Sequence, residues 1–146
     1  MEIIIKKFNE LSLEELYEIL KIRVSVFVVE QNCPYQEIDD KDKQAYHIYI
    51  RENNQIKAYL RVLDKGVSFP EVSIGRVLTT ERNKGYSNIL IKEGIKVAKE
   101  KYHVNKIKIE AQVYAKKMYE KHGFKQISDE FLEDGIPHII MLLENI

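Results

Sequence analysis

The run from Glu71 to Lys101, EVSIGRVLTTERNKGYSNILIKEGIKVAKEK, constrains the fold most, because its periodicity changes halfway along. Its first ten residues are rich in β-branched side chains and read as a strand. From Gly85 to about Lys101, Ile91, Ile95 and Ala98 recur at helical intervals, and Tyr102 continues the series. A basic, glycine-containing turn joins the two. The first N–H groups of such a helix have no partners inside it, and its dipole adds partial positive charge. A strand entering a helix through such a turn is a recurrent way to hold a phosphate. The turn lacks the GK[ST] ending of a P-loop and the three glycines of a dinucleotide fingerprint. By itself it also reads as an ordinary helix start.

The rest of the chain supplies the other layers. EIIIKKF reads as a strand, and Ser12 precedes Glu15 by three residues in a capping-box pattern. Leu13, Leu16, Leu20, Val24 and Phe27 then predict a helix through about Val28. Glu30–Ala45 breaks the pattern and reads as a loop. YHIYIRENNQIKAYLRVLD predicts two strands around Asn53 and Asn54. NKIKIEAQ alternates charged and apolar residues, as a half-buried strand does. AKKMYEKH is a short helix stopped by Gly123, and FKQISDEFLEDG and PHIIMLLEN are two strands around a turn at Asp134–Gly135. This order predicts an α/β protein with a mixed sheet in one domain spanning residues 1–146, without the regular alternation of a doubly wound fold.

Composition narrows the function classes. Lys plus Arg and Asp plus Glu both number 23, so there is no overall charge bias toward nucleic acid. No apolar run approaches ~18 residues, so no membrane span is expected. The opening MEIIIKKFNE has no secretory-signal pattern, which sets the expected location in the cytoplasm. Cys33 is the only cysteine, and His47, His103, His122 and His138 show no close ligand spacing, so no metal is expected.

The turn Arg82-Asn83-Lys84-Gly85-Tyr86-Ser87 resembles the acyl-CoA motif Q/R-x-x-G-x-G/A of the GCN5-related N-acetyltransferase (GNAT) superfamily. Ser87 stands where that pattern has Gly or Ala, and its hydroxyl can itself meet a phosphate. AKKMYEKHGF resembles the family's A-x-x-x-Y-x-x-x-G-F segment. RVSVFVVEQNCPYQEID (residues 23–39), GRV (75–77), AQ (111–112) and FLEDGIPHIIM (131–141) are similar to the ElaA branch of the superfamily, in order and over nearly the full length.

The resemblance implies a GNAT fold, with a mixed, mostly antiparallel central sheet and flanking helices, and transfer of an acetyl group from acetyl-CoA to a primary amine. It sets Arg82, Asn83, Lys84, Gly85, Tyr86 and Ser87 on the diphosphate and Val77 and Leu78 on the pantetheine arm. The Leu78 N–H is the expected oxyanion donor and Tyr119 the expected general acid. On the acceptor side the candidates are Glu30, Asp39, His47 and His138, with Glu30 and His47 named as substrate-binding. The partner is a small-molecule or peptide amine, with the chain acting alone or as a homodimer.

Two other classes stay open. The same turn suits an acyl-CoA sensor that catalyses nothing, and Cys33 beside Pro34, with His47 as base, suits a cysteine hydrolase. The lysines of Lys92–Glu110 alternate with apolar residues and Glu, the pattern of a solvated face rather than of an RNA-binding strip.

Overall fold

The computed structural model describes residues 1–146. Its chain order is β1 (Glu2–Lys7), α1 (Leu13–Val24), β2 (Tyr46–Glu52), β3 (Gln55–Leu63), β4 (Ser73–Thr79), α2 (Tyr86–Tyr102), β5 (Lys106–Gln112), α3 (Lys116–Glu120), β6 (Lys125–Gln126), β7 (Phe131–Glu133) and β8 (Ile136–Glu144). One sheet takes all eight strands, in the order β1-β2-β3-β4-β5-β8-β6, with β7 also paired to β8. Every pairing is antiparallel except β4 with β5, which α2 connects as a crossover. No helix is long and apolar enough to cross a membrane.

The local signals explain most of the boundaries. Ser12 caps α1: its hydroxyl accepts from Glu15 N at 3.1 Å, and its own N–H donates back to Glu15 Oε1 at 2.9 Å. Glu15 also takes Lys6 at 2.9 Å and the Tyr49 hydroxyl. Burial alone raises this carboxyl, but those hydrogen bonds and the Lys6 charge overcome it and hold the pKa near about 2. Asn53 and Asn54, both at positive φ, form the two-residue β2–β3 turn, and Asp134–Gly135 does the same between β7 and β8.

Alternation in the inner strands builds a core on each face of the sheet. Ile48, Ile50, Ala58, Leu60 and Val62 point to α2 and join Leu90, Ile91, Val97 and Ala98 in a cluster of 20 buried residues. Tyr49 and Tyr59 point the other way, to α1, and pack with Ile19, Phe27, Ile56 and Leu78. α2 sits close to the sheet because Gly94 is there: a Cβ at that position would lie 3.1 Å from Ile74 Cδ1.

Three expectations need correction. The helix expected through about Val28 changes pitch, with α-helix ending at Val24 and a π-helical segment running over Ser25–Glu30. Such segments often sit beside functional sites. The strand expected over Phe124–Gly135 is two short pieces along β8. Between them the Ser128 hydroxyl, rather than a backbone carbonyl, takes the Ile140 N–H at 2.8 Å. The helix expected over Ala115–His122 is shorter: a 3-10 turn at Val113–Ala115 leads into α3, and Gly123 at φ +95° closes the turn that follows.

Candidate active site

β4 and β5 run parallel but pair only at Ser73–Lys108, where Lys108 N donates to Val72 O at 2.9 Å. Beyond that point the strands have no shared ladder, so a cleft opens toward their C-terminal ends. β4 leads from there into the glycine turn, and β5 into the segment carrying Tyr119.

The direction of each backbone amide along this edge follows from the β3 ladder. Thr80 N–H donates to Lys57 O on β3 at 2.9 Å, and backbone groups alternate sides along a strand. The Leu78 amide, two residues back and paired to Tyr59, therefore also faces β3. Those of Val77 and Thr79 face the cleft. The expectation that Leu78 supplies the oxyanion donor is corrected accordingly; its side chain lies buried against α1's cluster.

The glycine turn is stretched between two anchors. At one end Lys57 holds Glu81 at 2.9 Å, and at the other the Tyr86 hydroxyl donates to Glu52. Arg82, Asn83, Lys84 and Gly85 between them are exposed. Asn83 at φ +59° and Gly85 at φ +75° both take the left-handed conformation, which turns successive amides outward as an anion-binding concavity requires. Gly85 is the N-cap of α2 and has no side chain to cap it, so the first helical amides, those of Tyr86 and Ser87 among them, gain no partner there. Nothing lies within 4 Å of where a Gly85 Cβ would stand, so the space over the helix start is open. The Tyr86 ring belongs to the core and only its backbone is available to a ligand.

Tyr119 is 7% exposed and packs edge-on to Phe124, with ring centroids 5.8 Å apart. Burial, with the nearby Tyr114 phenol adding to it, pushes its hydroxyl above the ordinary tyrosine range, and no hydrogen bond offsets this. The phenol therefore stays protonated at neutral pH.

The loop after the π-helical segment lies on the other face of the sheet, over a buried ion network. Arg23, fully buried, holds Glu37 at 3.0 Å and Asp42 at 2.6 Å. Arg61 holds Asp42 at 3.0 Å and Asp39 at 2.6 Å, and Arg76 stands 2.5 Å from Glu37 Oε2. Three guanidinium groups thus balance three carboxylates, and removing a fully buried partner such as Arg23 typically costs ~3–5 kcal/mol, because it leaves buried charge uncompensated. Arg76 itself has φ +53°, a conformation costing an L side chain roughly 1–2 kcal/mol.

His47 belongs to this network. It is 0% exposed, with Nε2 2.9 Å from the Asp42 carbonyl and Nδ1 2.7 Å from the Tyr59 hydroxyl. Nε2–H donates and Nδ1 accepts, the neutral tautomer, in keeping with a pKa lowered by burial. Neither nitrogen is free to meet a substrate or to serve Cys33, whose thiol donates to Asp134 O at 3.4 Å. Glu30 is exposed at the end of the π-helical segment. Asp39 is committed to Arg61 and Arg76.

Four other side chains gather where this loop meets β5 and β8. Gln31 and Gln112 exchange amide hydrogen bonds at 3.1 and 3.3 Å, joining the loop to β5. Two residues before Gln112, and so on the same face, is Glu110, whose carboxyl is raised by partial burial and then by Glu133. His138, across from Gln112 on β8, donates Nδ1–H to Ile136 O at 2.7 Å, which leaves Nε2 without a hydrogen-bond partner. Glu110 had no motif to mark it: an isolated acidic residue in an alternating strand reads as solvated. Arg76 likewise carries no sequence signal for a left-handed φ.

The comparisons with known proteins agree with this geometry. The family model described as "Acetyltransferase (GNAT) domain" matches residues 10–145. A UPF0039 protein of Schizosaccharomyces pombe is 39% identical over 148 residues, covering 99% of this chain and 97% of its own. Protein ElaA of Escherichia coli is 36% identical over 140 residues, 93% of this chain and 92% of that protein, and its crystal structure superposes with a TM-score of 0.91 over 98% of this chain and 99% of that one. The crystal structure of an acyl-CoA N-acyltransferase from Pseudomonas aeruginosa also has a TM-score of 0.91, at 34% identity over 98% of this chain and 99% of that one. A match along almost the whole chain, joined to a cleft built at the expected strand–turn–helix, means that the protein belongs to the GNAT acyltransferase family, in its ElaA-like group.

Proposed function

We propose that this acyltransferase moves an acetyl group from acetyl-CoA to a primary amine by direct attack on the thioester, in the cytoplasm. The observation that carries the reading is the cleft between β4 and β5 leading straight to the uncapped start of α2 at Gly85. Outward amides of Asn83–Ser87, with Arg82 and Lys84 beside them, suit a diphosphate, and the edge of β4 suits an extended amide-bearing arm. The residues present fit the substrate: the space above Gly85 is open, and the neighbouring side chains are cationic or small.

The thioester is already activated, so the chain supplies position and charge rather than a nucleophile. Holding amine and thioester together contributes ~7–11 kcal/mol. As the new C–N bond forms, negative charge on the carbonyl oxygen meets the Val77 or Thr79 amide, a donor worth ~3–4 kcal/mol. The C–S bond breaks, and the departing sulfur takes the proton of Tyr119, whose phenol burial keeps protonated. The acceptor's proton leaves on the face that carries Glu110 and His138, the two groups there with a free oxygen or ring nitrogen to take it.

Titration calorimetry with acetyl-CoA, followed by thiol release in the presence of a polyamine, an amino sugar, lysine and a peptide N-terminus, tests this. Binding with thiol release for at least one amine supports the reading. Binding without release for any of them favours a sensor, and absence of binding defeats both.

A further inference from the structure

We propose that Arg76 is the positioning residue of this site: its ion pairs with the loop Tyr35–Asp39 hold β4 in a left-handed kink that turns the Val77 and Thr79 amides into the cleft. The proposal rests on the acyltransferase reading for its functional consequence, although the kink is a property of the fold.

The register shows the kink directly. Tyr59 pairs with Leu78 and Arg61 with Gly75, so Arg76 and Val77 together stand opposite Leu60 alone. This is a β-bulge, a device that redirects the strand after it. Its left-handed residue is Arg76 at φ +53°, where glycine is the low-strain occupant. A side chain that persists there must be held. Arg76 Nε lies 2.5 Å from Glu37 Oε2, Nη2 donates to Glu37 O at 2.9 Å and to Asp39 Oδ2 at 3.3 Å, and the guanidinium lies 5.4 Å from the centre of the Tyr35 ring.

The holding loop is itself immobilised. Glu37 is shared with Arg23, Asp39 with Arg61, and Asp42 bridges Arg23 and Arg61. The start of the same loop is fastened to β5 by the reciprocal Gln31–Gln112 pair. One segment therefore grips both lips of the cleft, the bulge on β4 and the polar edge of β5. Without the grip, an L residue at position 76 relaxes toward regular strand geometry, and a one-residue change in alternation turns every following amide to the opposite side.

Two substitutions separate this role from simple stabilisation. Arg76→Ala and Arg76→Gly remove the same ion pairs, and Glu37 keeps Arg23 in both, so neither leaves an orphaned carboxylate. Only glycine accepts φ +53° without strain. The expected result is that Arg76→Ala lowers kcat at least tenfold, ~1.4 kcal/mol of barrier, while the dissociation constant for acetyl-CoA stays within about threefold. Arg76→Gly returns kcat to within about threefold of wild type. Lys43→Gln, which removes the exposed Lys43–Asp40 pair (3.5 Å), is the unaffected control. Equal kcat values for the alanine and glycine variants, whether both high or both low, overturn the proposal. Backbone amide NMR shifts of residues 78–79, beyond the substituted position and its immediate neighbours, give a readout independent of turnover: wild type and Arg76→Gly should share them, and Arg76→Ala should differ. A wild type with neither acetyl-CoA binding nor thiol release defeats the acyltransferase reading while leaving this NMR comparison intact. An Arg76→Ala spectrum identical to wild type over those residues defeats the kink itself.

Discussion

Replacing Tyr119 by Phe removes one oxygen and leaves everything that the ring contributes to packing. The ring sits edge-on to Phe124 in the large apolar cluster, and phenylalanine fits the same space. The hydroxyl has no hydrogen-bonding partner to orphan, so stability should change by less than ~0.5 kcal/mol, the range of substitutions that break no named interaction. The chemical loss is larger. If the phenol protonates the departing sulfur, its removal should lower kcat by ~10²–10⁴-fold, about 2.7–5.4 kcal/mol of barrier. The acyl-CoA dissociation constant should barely move, because the diphosphate is held elsewhere. The assay is thiol release under single-turnover conditions, with thermal melting of both proteins alongside. A thioester with a more acidic leaving thiol should narrow the difference between variant and wild type, since such a sulfur departs without a proton. A kcat within twofold of wild type, or an unchanged ratio across leaving groups, refutes the acid role.

Gly85→Val should destabilise the fold by about 1–2 kcal/mol, the cost of a left-handed side chain at φ +75°. The same change should weaken acetyl-CoA binding at least tenfold by filling the open space over α2; calorimetry showing unchanged affinity would remove the diphosphate from that turn. Cys33→Ala should leave thiol release within twofold of wild type, because its thiol serves only the Asp134 carbonyl; loss of turnover would restore the cysteine-nucleophile alternative. The carboxyls of Glu15 and Asp39 are held near about 2, against 4.5 and 3.8 when unperturbed, by hydrogen bonds and cations that outweigh burial. Groups lowered on folding stabilise the protein above their unfolded pKa and lose that contribution as pH falls through the folded one. Melting temperature should therefore drop between about pH 4 and pH 2, and Glu15→Gln should flatten that drop; an unaltered acid profile would show that Glu15 carries none of it.

What the sequence determined is what short-range chemistry settles. The Ser12–Glu15 capping box, the Asn53–Asn54 and Asp134–Gly135 turns, the alternation of Lys106–Gln112 and the glycine at the start of α2 each declare themselves within a few residues. Hydrogen bonds and steric limits act at that distance. The motifs in order along the chain placed the family as well. Tertiary structure decided matters that depend on partners far away in sequence. His47 is a buried network member because Asp42 and Tyr59 take both of its nitrogens. The amides facing the cleft belong to Val77 and Thr79 because β3 fixes the ladder that Leu78 must join. Arg76 sits in a left-handed bulge because Glu37, 39 positions earlier, holds it there. Ion pairs among buried side chains and the register of neighbouring strands are non-local energies, and no window of the sequence contains both halves of them.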